Sequence, residues 1–413
     1  MQKNRSSLPS EGHLVEFYDC EHLENLISLL CDRFTGVTYV YFSHANEPDR
    51  WDKEMLERLI SRRFGFVPQF LEIPENSMEC ALEHLRKLTV SGESYVFDIT
   101  GGSSVFIAAA GALRKEAGGR NIALHEYDTA AGLRTFHCPA GESSDACTDS
   151  ATLSVEETLA LRGITLLNRE ASAFSERDRQ MLHKELRRHW EAVRSDLRAW
   201  NAFCSVTANV SRENGFIQVE KRVTSHQIRN FRIILDALEK AGIISHRNEQ
   251  ALNNRVCFSY RLQMPHSAYF LHEKAGNLLE ILTYLALSEN PAFADCRTGV
   301  KLDWDKQSSH AVFNPFNEID GVATMGYIPC FISCKNTSVE NEYLYEIMTM
   351  TRHFGGRYAI PALVTSMPCN RATITRAAEM GIVLVDNVQK MSADEFSRVL
   401  VSRLQHFHQK NCR

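Results

Sequence analysis

The stretch from Asn317 to Asn336, NEIDGVATMGYIPCFISCKN, holds the residue types best suited to chemistry. It predicts two short strands joined at Gly326-Tyr327-Ile328-Pro329, because β-branched and aromatic residues flank a Gly and Pro breaker. Side chains alternate along a strand, so Glu318 and Asp320 share one side of the first strand and Ser333 and Lys335 one side of the second. A carboxylate on one strand and a lysine fifteen positions later on its neighbour could cradle a divalent ion and a scissile phosphate. The ion would polarise the phosphoryl oxygen, and the lysine would orient a water or offset developing charge. Acid and lysine pairs also occur as solvated charges on surface hairpins, so the flanking elements must decide.

The chain has 413 residues, 44% of them hydrophobic, enough for two or three domains with real cores. Val105 to Leu113, the longest apolar run, is too short to span a bilayer, and the N-terminal MQKNRSSLPSEGH lacks an apolar signal core. The expectation is a cytoplasmic protein without membrane contact. Twelve cysteines without a CxxC pair read as free thiols rather than disulfides or a zinc ribbon. A net charge of −5 leaves any nucleic-acid contact to local patches or to metal.

Strand and helix patterns alternate from His13. Strands are expected at 13–18, 37–43, 66–73 and 94–98, with helices at 21–34, 48–64, 78–88 and 103–117, and a closing hairpin from 121–127 and 133–138. This alternation predicts a parallel, doubly wound sheet with its ligand crevice at the carboxyl ends of the strands. There lies DITGGSS, Asp98 to Ser104. Adjacent glycines let the backbone approach a ligand, and the following amides and helix N-terminus favour an anion such as phosphate. A tight turn with Ser103 capping the helix is the plainer reading.

The alternating fold, DITGGSS and the following VFIAAAGALRKE resemble the CARF domain of CRISPR-associated proteins over residues 13 to 140. The resemblance implies a cyclic-oligoadenylate site, cyclic tetra-adenylate first among the ring sizes. It carries over to Thr100, Gly101, Gly102 and Ser103, with the strand ends near Asp19 and at Ser43 as weaker contacts. The family often has threonine then lysine after the glycines; here they are Ser103 and Ser104. Asp98 anchors the turn in this reading.

GESSDACTDSATLSVEE, from Gly141, reads as a linker, and Phe174 to Phe203 as a solvated connecting helix with seven basic and five acidic residues. In residues 205–265, SHQIRNFRIILDALEKAGIISHRN resembles the second half of a winged helix, with Gly242 ending the helix. From His266 the order helix, three strands, helix, strand, helix, strand resembles the restriction-endonuclease-like (PD-(D/E)XK) fold.

Within that resemblance GNLLE matches the helix ending in an acid, NEID the metal-binding strand and ISCK the lysine strand. It implies Asp320 as principal metal ligand, Glu280 as a second and Lys335 as the catalytic lysine. Cys334 would lend its backbone carbonyl, a donor suited to hard cations. Ser333 stands where many members carry a carboxylate, so either the site is weakened or another acid takes over. Glu318 is the nearest candidate, and Glu346 a weaker one. Oxygen ligands point to Mn²⁺ or Mg²⁺ rather than zinc.

The combined expectation is an α/β chain. Residues 1–150 form a Rossmann-like CARF ligand sensor, 151–204 linker and connecting helices, 205–265 a small winged-helix-like unit, and 266–413 a restriction-endonuclease-like domain. The function expected is a cyclic-oligoadenylate-activated, metal-dependent nuclease of type III CRISPR defence acting on DNA or RNA. It would work as a homodimer, because an even-membered ring can have twofold symmetry. A ligand-responsive DNA-binding regulator with a decayed nuclease domain is the alternative, and self-cleavage of the ligand by the CARF domain a third.

Overall fold

The computed structural model describes residues 12–43, 47–89, 93–116, 122–128, 133–138, 141–146, 151–168, 175–207, 211–213, 216–263, 277–303 and 316–411. The N-terminal sheet is built from β1 (His13–Phe17), β2 (Gly36–Phe42), β3 (Gln69–Ile73), β4 (Tyr95–Asp98), β5 (Ile122–Asp128), β6 (Leu133–Cys138) and β7 (Gly141–Ala146). Its spatial order is β3-β2-β1-β4-β5-β6-β7. The first five strands in that order run parallel, and β6 and β7 are antiparallel additions. Every residue of β2 and β4 is buried, as expected of inner parallel strands covered on both faces. The order reverses at β1 and β4, the switch point at which an open α/β sheet leaves a crevice.

Helices α1 (Glu24–Cys31), α2 (Arg50–Phe64), α3 (Met78–Leu88) and α4 (Ser104–Glu116) complete the doubly wound layer. Asp49 and Asp52 form a reciprocal cap that starts α2, and Gly65 ends it at φ +82°. The expected start of α1 at Glu21 is corrected to Glu24, because the three residues before it are held in a loop by Asp19 and Asn25. The linker reading from Gly141 is also corrected. Gly141–Ala146 pair with β6 from Cys138↔Gly141 to Leu133↔Ala146, so backbone pairing overrides a polar composition.

Residues 151–168 join the C-terminal sheet. The short helix α5 (Val155–Ala160) has a Ser154/Glu157 capping box, and β8 (Thr165–Leu166) pairs with a strand more than a hundred residues later. The single helix expected over 174–203 is two: α6 (Glu176–Val193) and α7 (Leu197–Thr207), parted by a 3₁₀ turn at Arg194–Asp196. The Asp196 carboxylate accepts the Ala199 N–H at 3.0 Å and restarts the helix. These helices are not merely solvated connectors. Leu186, Trp190, Val193, Trp200 and Phe203 are fully buried, and the Trp190 indole donates to the Met391 carbonyl at 3.0 Å.

The middle unit is a four-stranded antiparallel sheet, in spatial order β11-β12-β10-β9, formed by β9 (Ser211–Glu213), β10 (Phe216–Thr224), β11 (Ile244–Leu252) and β12 (Arg255–Leu262). It is covered by α8 (Ser225–Lys240), opened by a Thr224/Gln227 capping box and followed by Gly242 at φ +68°. Two of its basic residues are answered from within: Arg232 and Arg247 both pair with Glu249, and Arg247 also with Asp236.

The third sheet has the order β17-β16-β15-β14-β13-β8. Its new strands are β13 (Phe293–Asp303), β14 (Phe316–Met325), β15 (Ile328–Lys335), β16 (Ile360–Thr365) and β17 (Val383–Val385). β13 begins at Phe293, well before Gly299, and Trp304 lies outside the described residues. Helix α9 (Asn277–Ser288) is apolar around its circumference and lies buried against this sheet from Leu278 to Leu287, except for Glu280. Helices α10 (Asn341–Gly355) and α11 (Arg371–Glu379) follow. The 19-residue α12 (Ala393–Asn411), which the sequence reading passed over, packs Phe396, Leu400 and Leu404 into the same core as α9.

Candidate functional site

At the switch point of the first sheet, two loops meet. Asp98, buried at the end of β4, accepts from the Thr100 backbone N–H at 2.7 Å and also from its hydroxyl. The Thr100 hydroxyl in turn accepts the Tyr127 N–H at 2.8 Å. Thr100 is thus committed to holding the turn. Asp19, just past β1, accepts the Gly102 N–H at 2.9 Å. Gly102 has φ +83°, and a Cβ there would lie 2.5 Å from the Phe17 Cβ and 2.9 Å from its carbonyl oxygen. Only glycine fits. At Gly101 a Cβ would instead lie 2.8 Å from a Glu24 carboxylate oxygen. The Ser103 hydroxyl accepts the Val105 N–H at 3.3 Å, so it caps α4. Ser43 is bonded to Glu72.

Beneath the turn lies a buried polar cluster that the sequence reading missed. Ser28 donates to Asp98, and its oxygen lies 3.2 Å from His125 Nε2. Burial pushes the Asp98 carboxyl up to about 7, against the Thr100 hydrogen bonds that lower it, and pulls His125 down to about 3, aided by Arg134. Glu16 is held well above the usual carboxylate range by burial first and by Asp98 second. Glu16, Ser28, Asp98 and His125 lie on four separate elements and carry no sequence spacing that would reveal this.

In the third sheet, β14 and β15 pair from Met325↔Ile328 to Gly321↔Ile332. Asp320 follows directly, and its carboxylate accepts the Cys334 N–H at 2.7 Å and the Ser333 hydroxyl at 3.2 Å. The acid strand and the lysine strand therefore meet where the sequence placed them. Burial and the Asp320 charge hold the Cys334 thiol well above its usual value; Glu280 pushes the same way and Lys335 opposes it. The Cys334 thiol stays protonated. Lys335 itself faces α10, with its ammonium 3.9 Å from Glu346 and 4.8 Å from the centre of the Tyr343 ring. Tyr343 and Glu346 stand three apart on one helix face, which is the signal by which Tyr343 could have been found. Glu318 is exposed and lies opposite Lys301 on β13. Thr283 of α9 accepts from the Cys334 thiol at 3.5 Å, tying the helix that carries Glu280 to the lysine strand.

Among the described residues no three His, Cys, Asp or Glu side chains gather at metal-binding distance. Asp320, Glu280 and the Cys334 carbonyl nevertheless fit the habit of Mg²⁺ and Mn²⁺, which take one or two carboxylates and complete their shell with water or substrate oxygens.

No family model matches the chain, and no curated protein matches it. Solved structures do. Protein VC1899 from Vibrio cholerae superposes with a TM-score of 0.72 at 18% identity, over 98% of this chain and 99% of that one. Can2 from Sulfobacillus thermosulfidooxidans, solved in complex with cyclic tetra-adenylate, gives 0.61 at 14% identity, over 95% and 99%. The chain has the fold of Can2. The likeness spans nearly the whole of both chains, so the α/β architecture read from the sequence is the architecture of the molecule. No helix of the described residues is long and apolar enough to cross a membrane.

Within this Can2-like fold the buried acids make a testable contribution to stability. A carboxyl whose folded pKa is raised favours the folded state least at high pH: the penalty is absent below the unfolded value and grows as pH rises toward the folded one. Glu16→Gln should therefore raise the melting temperature by an amount that grows from pH 5 to pH 8, about 2–4 °C for each kcal/mol relieved. The check is paired thermal melts across that range, and a pH-independent difference would show that Glu16 ionises normally.

Proposed function

We propose that this chain is a metal-dependent nuclease switched on by a cyclic oligoadenylate at the Asp98–Ser104 turn. The observation that carries the reading is the Asp320 bond to the backbone of Cys334, the residue before Lys335. It joins carboxylate and lysine on two adjacent inner strands of a fold shared with a protein solved with cyclic tetra-adenylate.

Asp320, with Glu280 and the Cys334 carbonyl, would hold the divalent ion. Bound there, the ion would polarise the scissile phosphate and lower the pKa of an attacking water. The chain does the rest. Cys334 and Ser333 orient Asp320, Tyr343 and Glu346 restrain Lys335, and the Lys335 ammonium offsets charge that develops on the phosphate. At the other end, the backbone after Gly102 and the N-terminal start of α4 suit a phosphate. A homodimer would present two such turns to one ring.

Ser333, where the restriction-endonuclease-like resemblance leads one to expect an acid, favours a second reading, a ligand-responsive DNA-binding regulator whose nuclease domain has decayed. One experiment separates them: purified protein with labelled DNA and RNA, cyclic oligoadenylates of several ring sizes, and Mn²⁺ or Mg²⁺ against EDTA. We expect ring-dependent, EDTA-sensitive cleavage of at least one substrate. Ligand-dependent DNA binding without cleavage would favour the regulator.

A further inference from the structure

Asp19 belongs to a short, tightly braced loop. Its side chain accepts from Gly102 N–H at 2.9 Å and Glu21 N–H at 2.8 Å, while Asn25 bonds both its N–H and its carbonyl at 2.8 Å. The far side of that loop grips the third sheet's layer. Glu24, 4% exposed, accepts from the Tyr358 hydroxyl, and its same oxygen lies 3.3 Å from the Arg357 guanidinium. Glu21 accepts the Arg357 backbone N–H at 3.2 Å and pairs with Arg162 at 3.4 Å. Arg357 and Tyr358 lie between α10, which carries Tyr343 and Glu346, and β16. β16 in turn pairs with β15 through Cys334↔Val364 and Lys335↔Thr365. The other Glu24 oxygen is the one that a side chain at Gly101 would strike. Glu24 thus touches the turn with one oxygen and the nuclease layer with the other.

We infer that Glu24, Arg357 and Tyr358 form a latch that holds the nuclease layer in its idle arrangement until an anion reaches the glycine turn. A phosphate arriving at Gly101 meets the carboxylates of Asp19 and Glu24, and the Arg357 guanidinium, 3.3 Å from Glu24, is placed to answer it. Drawing Arg357 toward the phosphate weakens its hold on Glu24, so the ligand binds the unlatched state more tightly and shifts the population toward it. A cavity of about 790 Å³ beside the contact, lined by Glu21, Arg162, Gly356, Arg357 and Tyr358 among others, gives the loop room to move. The latch deepens the proposed function and rests on the turn being the ligand site.

The test uses the full chain with Arg357→Ala combined with Tyr358→Phe, and separately Glu24→Gln. Ligand-free cleavage should rise by about 5–150-fold, the usual range of an allosteric coupling, and activation by cyclic tetra-adenylate should shrink by the same factor. A second reading needs no ligand: amide hydrogen exchange at Gly102 should quicken in the double variant, because the loop that holds it has lost its anchor. Unchanged exchange at Gly102 would overturn the latch, as would a folded double variant whose ligand-free rate stays at the wild-type level. A wild type indifferent to every cyclic oligoadenylate, with Gly102 exchange quickened in the variant, would instead count against the ligand reading and leave the mechanical link standing.

Discussion

Lys335→Ala should slow metal-dependent cleavage by about 10²–10³-fold, the usual cost of removing one group that stabilises developing charge. Binding of the cyclic ligand should be unaffected, since Lys335 contacts Glu346 and Tyr343 on α10 and nothing near the glycine turn. Asp320 calls for a gentler change. Replacing it by alanine would leave the Cys334 N–H without its acceptor, so loss of activity could reflect a displaced β15. Asp320→Asn keeps an oxygen for Cys334 and removes only the charge that a divalent ion needs. Its rate should fall at least as far as that of Lys335→Ala, with the melting temperature held. Glu280→Gln should follow it, and Glu318→Gln should cost much less, because Glu318 is exposed and in register with Lys301. Single-turnover cleavage at saturating Mn²⁺ is the measurement. A wild-type rate in Lys335→Ala or Asp320→Asn would end the assignment of this hairpin as the cutting site.

Gly102→Val should abolish activation by cyclic oligoadenylate while leaving ligand-free, metal-dependent cleavage in place. The left-handed backbone alone costs a residue with a Cβ about 1–2 kcal/mol, roughly a tenfold loss in the population of the native turn. The overlap with Phe17 adds to this, because its nearest atoms are the Cβ and the carbonyl oxygen, which cannot swing aside. Gly101→Ala is the instructive contrast: its Cβ would lie 2.8 Å from a Glu24 carboxylate oxygen and 3.2 Å from the Asp19 Cβ, a smaller overlap than at Gly102 and without the left-handed backbone. Affinity should therefore fall far more for Gly102→Val than for Gly101→Ala. Calorimetric titration with cyclic tetra-adenylate, beside the nuclease rate at each concentration, reads both effects. Normal activation of Gly102→Val would place the ligand elsewhere.

The sequence alone determined the kinds of element and their order. Apolar runs at periods of two and 3.6 are local properties, so β2, β4, α3 and the β14–β15 hairpin could be read directly from their residues. The glycine pair and the interval from Asp320 to Lys335 are likewise local patterns; the fold puts the first at the switch point of the N-terminal sheet and the second on the paired strands β14 and β15. Only the tertiary structure decided which strands are neighbours and which side chains meet. Asp19 reaches Gly102 across 83 positions, and Glu24 reaches Tyr358 across 334, because β1 and β4 adjoin at the switch point and two layers pack there. No periodicity records such a distance. The same reason explains the errors. Gly141–Ala146 has a linker's composition but finds an open sheet edge, and α6 has a solvated helix's charges but turns Leu186 and Trp190 into a core made of distant segments. Polar composition reports what water tolerates; the partner available in the fold decides what is buried.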